Sequence, residues 1–201
     1  MDLNAVQISE ITHLSRNSVN KYMKAFRERI TELSLLEYSN HDIDCFIRKH
    51  LRNLELTSKD CITKQGSPKI FAIIQEEGKI YTYLFIKPLS IAMHQALRCG
   101  STIGDILSIQ ETNKHISLVD MADVMYLPLH DHETKKENSG RLNRIDSFWG
   151  FCKNRLLDKK NLSYKLFYYH LKECEYRYNY NTDLIYKNIL NSIRKESIKL
   201  S

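Results

Sequence analysis

An acidic side chain next to an aromatic pair, with basic residues on both flanks, is the feature of this sequence best suited to chemistry. Asp146 stands two positions before Phe148-Trp149, and Trp149 is the only tryptophan in the chain. Arg141 and Arg144 precede it, and Lys153 and Arg155 follow. On a helix, Asp146, Trp149, Gly150 and Lys153 fall at i, i+3, i+4 and i+7 and share one side. A carboxylate on such a half-buried face, flanked by cations, suits a metal-holding group beside a phosphate backbone. The same spacing describes an amphipathic helix with Phe148 and Trp149 in a core and a solvated aspartate, and residue types alone leave both readings open. A second acid, Asp105, ends the short strand expected for Ser101-Thr102-Ile103-Gly104. A strand fixes a carboxylate there while the adjoining loop admits substrate. His130, Asp131 and His132 form a third polar group, but zinc would need further ligands that nothing convincingly supplies.

These residues need elements to hold them. Residues 7–14 read as a short helix, with Ile8, Ile11 and Leu14 spaced along it. Ser15-Arg16-Asn17-Ser18 carries turn and helix-capping residues, and a longer amphipathic helix runs to about Leu36. Helix, tight polar turn and second helix form a helix-turn-helix pattern, or equally a plain helical hairpin. In the first case Arg16, Asn17, Asn20 and Lys21 would meet bases and phosphates from the start of the second helix. Lys69 to Gln75 reads as a buried strand, Glu76-Glu77-Gly78-Lys79 as a hairpin turn and Ile80 to Ile86 as the partner strand. A helix is expected over Leu89–Arg98. Two more follow the acidic-aromatic run: Leu162–Tyr178, packing through Leu166, Tyr169, Leu171 and Tyr176, and an amphipathic tail from Asp183 to Lys199. In that tail Leu184, Ile185, Ile189, Leu190 and Ile193 turn inward.

The run Asn143-Arg-Ile-Asp146-Ser-Phe-Trp149, followed by Tyr168-Tyr-His-Leu-Lys-Glu-Cys-Glu-Tyr-Arg-Tyr-Asn179, resembles the C-terminal signature of small bacterial insertion-sequence transposases. The group it is most similar to is the ISXO-like DDE transposases, which have a ribonuclease-H-like core. The resemblance covers roughly residues 7–182. It is strong after Gly140, fair from Lys69 to Asp105 and weak around Asp44. It implies an α/β fold, a mixed sheet flanked by helices, with a helix-turn-helix DNA-binding region at 1–36. The transposase domain would occupy 37–182 and an amphipathic helix 183–201.

By the same resemblance Asp44, Asp105 and Asp146 are the three metal-binding carboxylates. Asp42 is the alternative for the first. The group's third acid is usually Glu, so Asp146 has a shorter arm. Cys45 replaces a usual Glu, Gly104 a Thr or Ser, and no glycines follow Phe46. His130 takes the place of a histidine that reaches substrate phosphate, or else is an ordinary loop residue. The span between Asp105 and Asp146 is long for the group, so an insertion is expected near residues 108–125. Three converging carboxylates can hold two magnesium or manganese ions about 4 Å apart. The implied activity is cleavage of double-stranded DNA at element ends and strand transfer into a target, by a homo-oligomer on DNA. Arg141, Arg144, Lys153 and Arg155 would neutralise phosphates. The departures leave a second reading open, a decayed transposase that binds DNA without cutting it. A protein–protein adaptor is the third.

Composition is compatible with this and does not demand it. The 201 residues suit one catalytic domain with a small appendage, and a net charge of +6 suits a polyanionic partner. The polar, acidic start does not read as a signal peptide, and no apolar run approaches a membrane span, so a cytoplasmic location is expected. The five cysteines are too far apart for a Cys-x-x-Cys pair and odd in number, which points to reduced thiols.

Overall fold

The computed structural model describes residues 3–39, 45, 69–85, 115–121, 125–128 and 139–198. Within them the order is α1 (Ala5–Thr12), α2 (Arg16–Ser39), β1 (Ile70–Glu76), β2 (Lys79–Leu84), β3 (His115–Asp120), β4 (Met125–Pro128), α3 (Ser139–Leu157), α4 (Tyr164–Asn179) and α5 (Thr182–Lys195). Helices and sheet are both present, as the α/β expectation requires. The expected helix over Leu89–Arg98 and the expected strand ending at Asp105 lie outside the described residues.

The strands form one sheet in the order β2-β1-β3-β4. The resemblance implies a mixed sheet, but all three described pairings are antiparallel. β1 and β2 make the predicted hairpin. Its turn residues Glu77 and Gly78 both have positive φ, 48° and 78°, the backbone twist that a two-residue connection between strands demands. β3 falls inside the stretch assigned to an insertion. Its pattern His-Ile-Ser-Leu-Val-Asp is short and has no strong turn signal before it, so periodicity alone does not mark it as a central strand.

Ile70 to Gln75 are buried without a break, which explains why β1 reads as a continuous apolar run rather than an alternating one. On one face Phe71, Ile73, Ile80, Leu84 and Val119 meet α3 and α4. Helix α3 buries Ile145, Phe148, Trp149, Cys152 and Leu156, a stripe at helical spacing. Helix α4 buries Phe167 and Leu171 rather than Leu166, which is 38% exposed. Burial of each large side chain in this layer contributes roughly 1.5–3 kcal/mol. The tail helix α5 has no buried residue, and Leu184, expected inward, is exposed.

Helix α2 lies along α4. Arg27 Nε donates to Glu173 Oε2 at 2.6 Å, and Arg29 reaches Glu196, just past α5, at 3.2 Å. At its far end Glu37 meets Lys79 and Tyr180. The described residues include no helix long and apolar enough to cross a membrane.

Candidate functional site

The first candidate surface is the start of α2. Asn4 caps α1 by accepting from the Val6 and Gln7 amides at 3.0 Å each, while Gln7 accepts in return from the Asn4 amide. The chain leaves α1 through His13 in the left-handed region, φ 58°, a usual helix exit. Ser15 then caps α2, its Oγ accepting from the Ser18 amide at 3.1 Å. The turn is therefore His13–Ser15, and α2 begins at Arg16, inside the stretch whose residue types suggest a turn. Val19 is buried, while Arg16, Asn17, Asn20 and Lys21 are exposed. Four exposed polar groups thus surround one that anchors the helix.

The second candidate is Asp146. It lies on α3 beside the buried stripe and is exposed, not half-buried. Tyr126, from β4, donates its hydroxyl to Asp146 Oδ1 at 2.5 Å, and Ser117 Oγ, from β3, hydrogen-bonds the Tyr126 oxygen at 3.1 Å. The Tyr126 ring stacks on Trp149 with centroids 6.4 Å apart and planes 7° from parallel. Burial first, and then the hydrogen bond to Asp146, push the Tyr126 hydroxyl above the usual tyrosine range. It stays protonated at neutral pH and remains a donor. Nothing in the sequence spacing links Tyr126 to Asp146, because the contact is made by folding a strand against a helix.

Helix geometry sets three of the four cations expected around Asp146 on different sides of α3. At 100° per residue, Lys153 lies about 20° from Asp146, but Arg144 and Arg155 lie about 160° and 180° away. Lys153 Nζ accordingly sits 6.0 Å from the Trp149 ring centre. The Arg144 guanidinium lies over Tyr178 at 5.6 Å and that of Arg155 over Phe151 at 4.8 Å. Those two arginines cover aromatic surface on the opposite side of α3. Arg141 is within α3, though its side chain lies outside the described residues, as do Asp42, Asp44, Asp105 and His130. Of the three proposed carboxylates only Asp146 is described, and among the described residues no three His, Cys, Asp or Glu side chains gather as a metal site.

The signature residues after Tyr168 prove to be fasteners. Among the described strands β2 lies at the edge of the sheet, and α4 takes up its outward-facing backbone groups. Asn179 accepts from the Ile80 amide at 2.9 Å and donates to the Ile80 carbonyl at 2.6 Å. Two residues on, Glu175 Oε2 accepts from the Thr82 amide at 2.7 Å and its hydroxyl at 2.6 Å, while Lys172 Nζ donates to the Thr82 carbonyl at 2.9 Å. Lys172 and Glu175 also pair with each other at 2.7 Å, with side chains 1% and 3% exposed. Helix side chains here take the place of a neighbouring strand and close the edge. Glu173, between them, faces α2 instead. Burial would raise its carboxyl, but Arg27, then Arg177 and His170, hold it below the ordinary range. His170 is pushed down to about 4 by burial and by the Arg27 and Lys159 cations, against the pull of Glu173.

No protein-family profile, no curated protein and no solved structure matches this chain.

Proposed function

We propose that this chain is an insertion-sequence transposase of the DDE type, acting on double-stranded DNA by metal-dependent strand cleavage and strand transfer. The observation that carries the reading is Asp146: an exposed carboxylate on α3, held at one oxygen, on the helix that bears the transposase-like sequence run. A hard, exposed carboxylate with one oxygen fixed fits a ligand of magnesium or manganese. Asp44 and Asp105 complete the proposed set. When bound, such a cation supplies Lewis acidity at the scissile phosphate. The residues of the chain do the rest. Asp146 presents oxygen, Lys153 neutralises phosphate on the same side of α3, and Arg16, Asn17, Asn20 and Lys21 grip DNA from the start of α2. The ribonuclease-H-like core and the helix-turn-helix belong to the proposal. Their support is the sheet packed against α3 and the tight α1–α2 turn, and a mixed sheet would need a parallel strand beyond those described. Homo-oligomerisation on paired DNA ends and a cytoplasmic location go with the reading.

A second reading, DNA binding without cleavage, is favoured by one observation: Arg144 and Arg155 turn away from Asp146 onto aromatic rings. One experiment separates the two. Manganese-dependent nicking of duplex carrying the flanking element ends is expected for the wild type and lost in both Asp146→Ala and Asp105→Ala. Binding without nicking by the wild type would establish the second reading and overturn the first.

A further inference from the structure

We infer that Tyr126 is the positioning residue for Asp146, fixing Oδ1 so that Oδ2 is the oxygen presented to a divalent cation. The inference rests on the metal-carboxylate reading of Asp146 and adds a residue that the reading did not contain. Three observations carry it. The Tyr126 hydroxyl lies 2.5 Å from Asp146 Oδ1. It is itself tied to Ser117 Oγ at 3.1 Å, and Ser117 is 1% exposed on a central strand. The Tyr126 ring lies parallel to Trp149, with centroids 6.4 Å apart, and Trp149 stands three residues along the helix from Asp146.

An exposed aspartate on a helix ordinarily samples several rotamers, and each is a different place for its oxygens. Here the hydroxyl that selects one rotamer is immobilised twice, by a hydrogen bond to the sheet and by an aromatic stack on the same helix. The bonds run in one direction. Ser117 donates to the tyrosine oxygen, and the tyrosine donates to the carboxylate. The carboxylate thus loses rotational freedom, and the sheet sets its position. Outer contacts of this kind around metal-ligating groups change metal affinity or activity by roughly 10- to 100-fold when removed.

The test uses the full chain and Mn2+ alone as probe, with paramagnetic line loss of free Mn2+ as the binding readout. Wild type, Asp146→Asn, Tyr126→Phe and Ser117→Ala are compared. Tyr126→Phe keeps the ring and its stack, so thermal melting should stay close to wild type. Ser117→Ala perturbs the same chain of bonds without touching Tyr126. The expected result is a Mn2+ site lost in Asp146→Asn, weakened about 10- to 100-fold in Tyr126→Phe and weakened less in Ser117→Ala. In nicking assays Tyr126→Phe should raise the Mn2+ concentration needed for half-maximal rate and leave KM for DNA unchanged, a shift that a smaller folded fraction would not produce. A Mn2+ site sensitive to Asp146→Asn but indifferent to Tyr126→Phe would overturn the positioning role and leave the carboxylate site standing. Absence of any Asp146-dependent Mn2+ site in the wild type would overturn both together.

Discussion

The buried pair on α4 makes the sharpest demand on stability. Glu175 Oε2 accepts three bonds, from the Thr82 amide, the Thr82 hydroxyl and Lys172 Nζ, all within 2.7 Å. Glu175→Ala would strand a buried ammonium beside two donors deprived of their acceptor. Breaking a buried ion pair from one side costs about 3–5 kcal/mol, and an orphaned donor about 1–3 kcal/mol. These overlap, so the expected loss is about 3–5 kcal/mol, a large part of the roughly 5–15 kcal/mol that holds a domain folded. Lys172→Met removes the cation but leaves Glu175 with both bonds from Thr82, and should be milder. The combined Lys172→Met/Glu175→Gln variant keeps an acceptor for Thr82 and strands no charge. It should regain about 1.5 kcal/mol or more relative to Glu175→Ala, so the two sites are strongly non-additive. Urea denaturation followed by tryptophan fluorescence reads this directly, because Trp149 belongs to the same core. A loss below about 1 kcal/mol for Glu175→Ala at unchanged m-value would refute the claim that α4 closes the β2 edge through this pair.

Other outcomes follow from the same geometry. On the proposed reading, Arg16→Ala and Lys21→Ala should each weaken duplex binding. Fluorescence anisotropy across a salt series should show the log K against log salt slope flattened by about 0.9 for every phosphate no longer neutralised. Lys153→Ala should reduce DNA affinity. Arg144→Ala and Arg155→Ala should leave it unchanged and lower the melting temperature, because each uncovers an aromatic ring at a cost of about 0.5–1 kcal/mol. His170 is held neutral in the fold down to about pH 4. The unfolded chain takes up this proton near pH 6.5, so stability should fall as pH drops from about 6.5 to 4, by at most about 3 kcal/mol. His170→Gln should remove that slope between these limits in pH-dependent urea titrations; a slope left intact would assign it elsewhere.

The elements most legible in the sequence are those whose pattern is local. The β1–β2 hairpin shows in its apolar run and in Glu77-Gly78, and α3 shows in the spacing from Ile145 to Leu156. The start of α2 shows in Ser15 and in Val19 among polar neighbours. What stays hidden depends on contacts distant in sequence. β3 is hidden because its short pattern mixes polar Ser117 and Asp120 with Ile116, Leu118 and Val119, although all five are buried. Tyr126 is one of twelve tyrosines until a strand sets it against Asp146. Lys172 and Glu175 read as the solvated side of a helix, since charged residues at i and i+3 usually are, yet they are among the least exposed side chains. The arginines around Asp146 are its neighbours in sequence, but helical phase, not nearness in sequence, decides which cations share its side.

Helical phase and length also bear on how a DNA grip would be joined to a cutting site. α2 has 24 residues, about 36 Å of helix. Its first turns carry Arg16, Asn17, Asn20 and Lys21 on the surface. Its later turns bury Ala25, Ile30 and Tyr38 and bind α4 through Arg27. The same α4 holds the edge of β2, and α3 packs on β3 and β1 with Asp146 at its rim. Among the described residues, the exposed polar residues and the carboxylate are joined through packed elements, α2 on α4, α4 on β2, and α3 on β1 and β3. Changing the distance from one to the other would require breaking the Arg27–Glu173 pair and the Glu37, Lys79 and Tyr180 cluster, at opposite ends of the α2–α4 contact. On the proposed reading, the spacing between the bound sequence and the phosphate presented to Asp146 is set by the length of a helix.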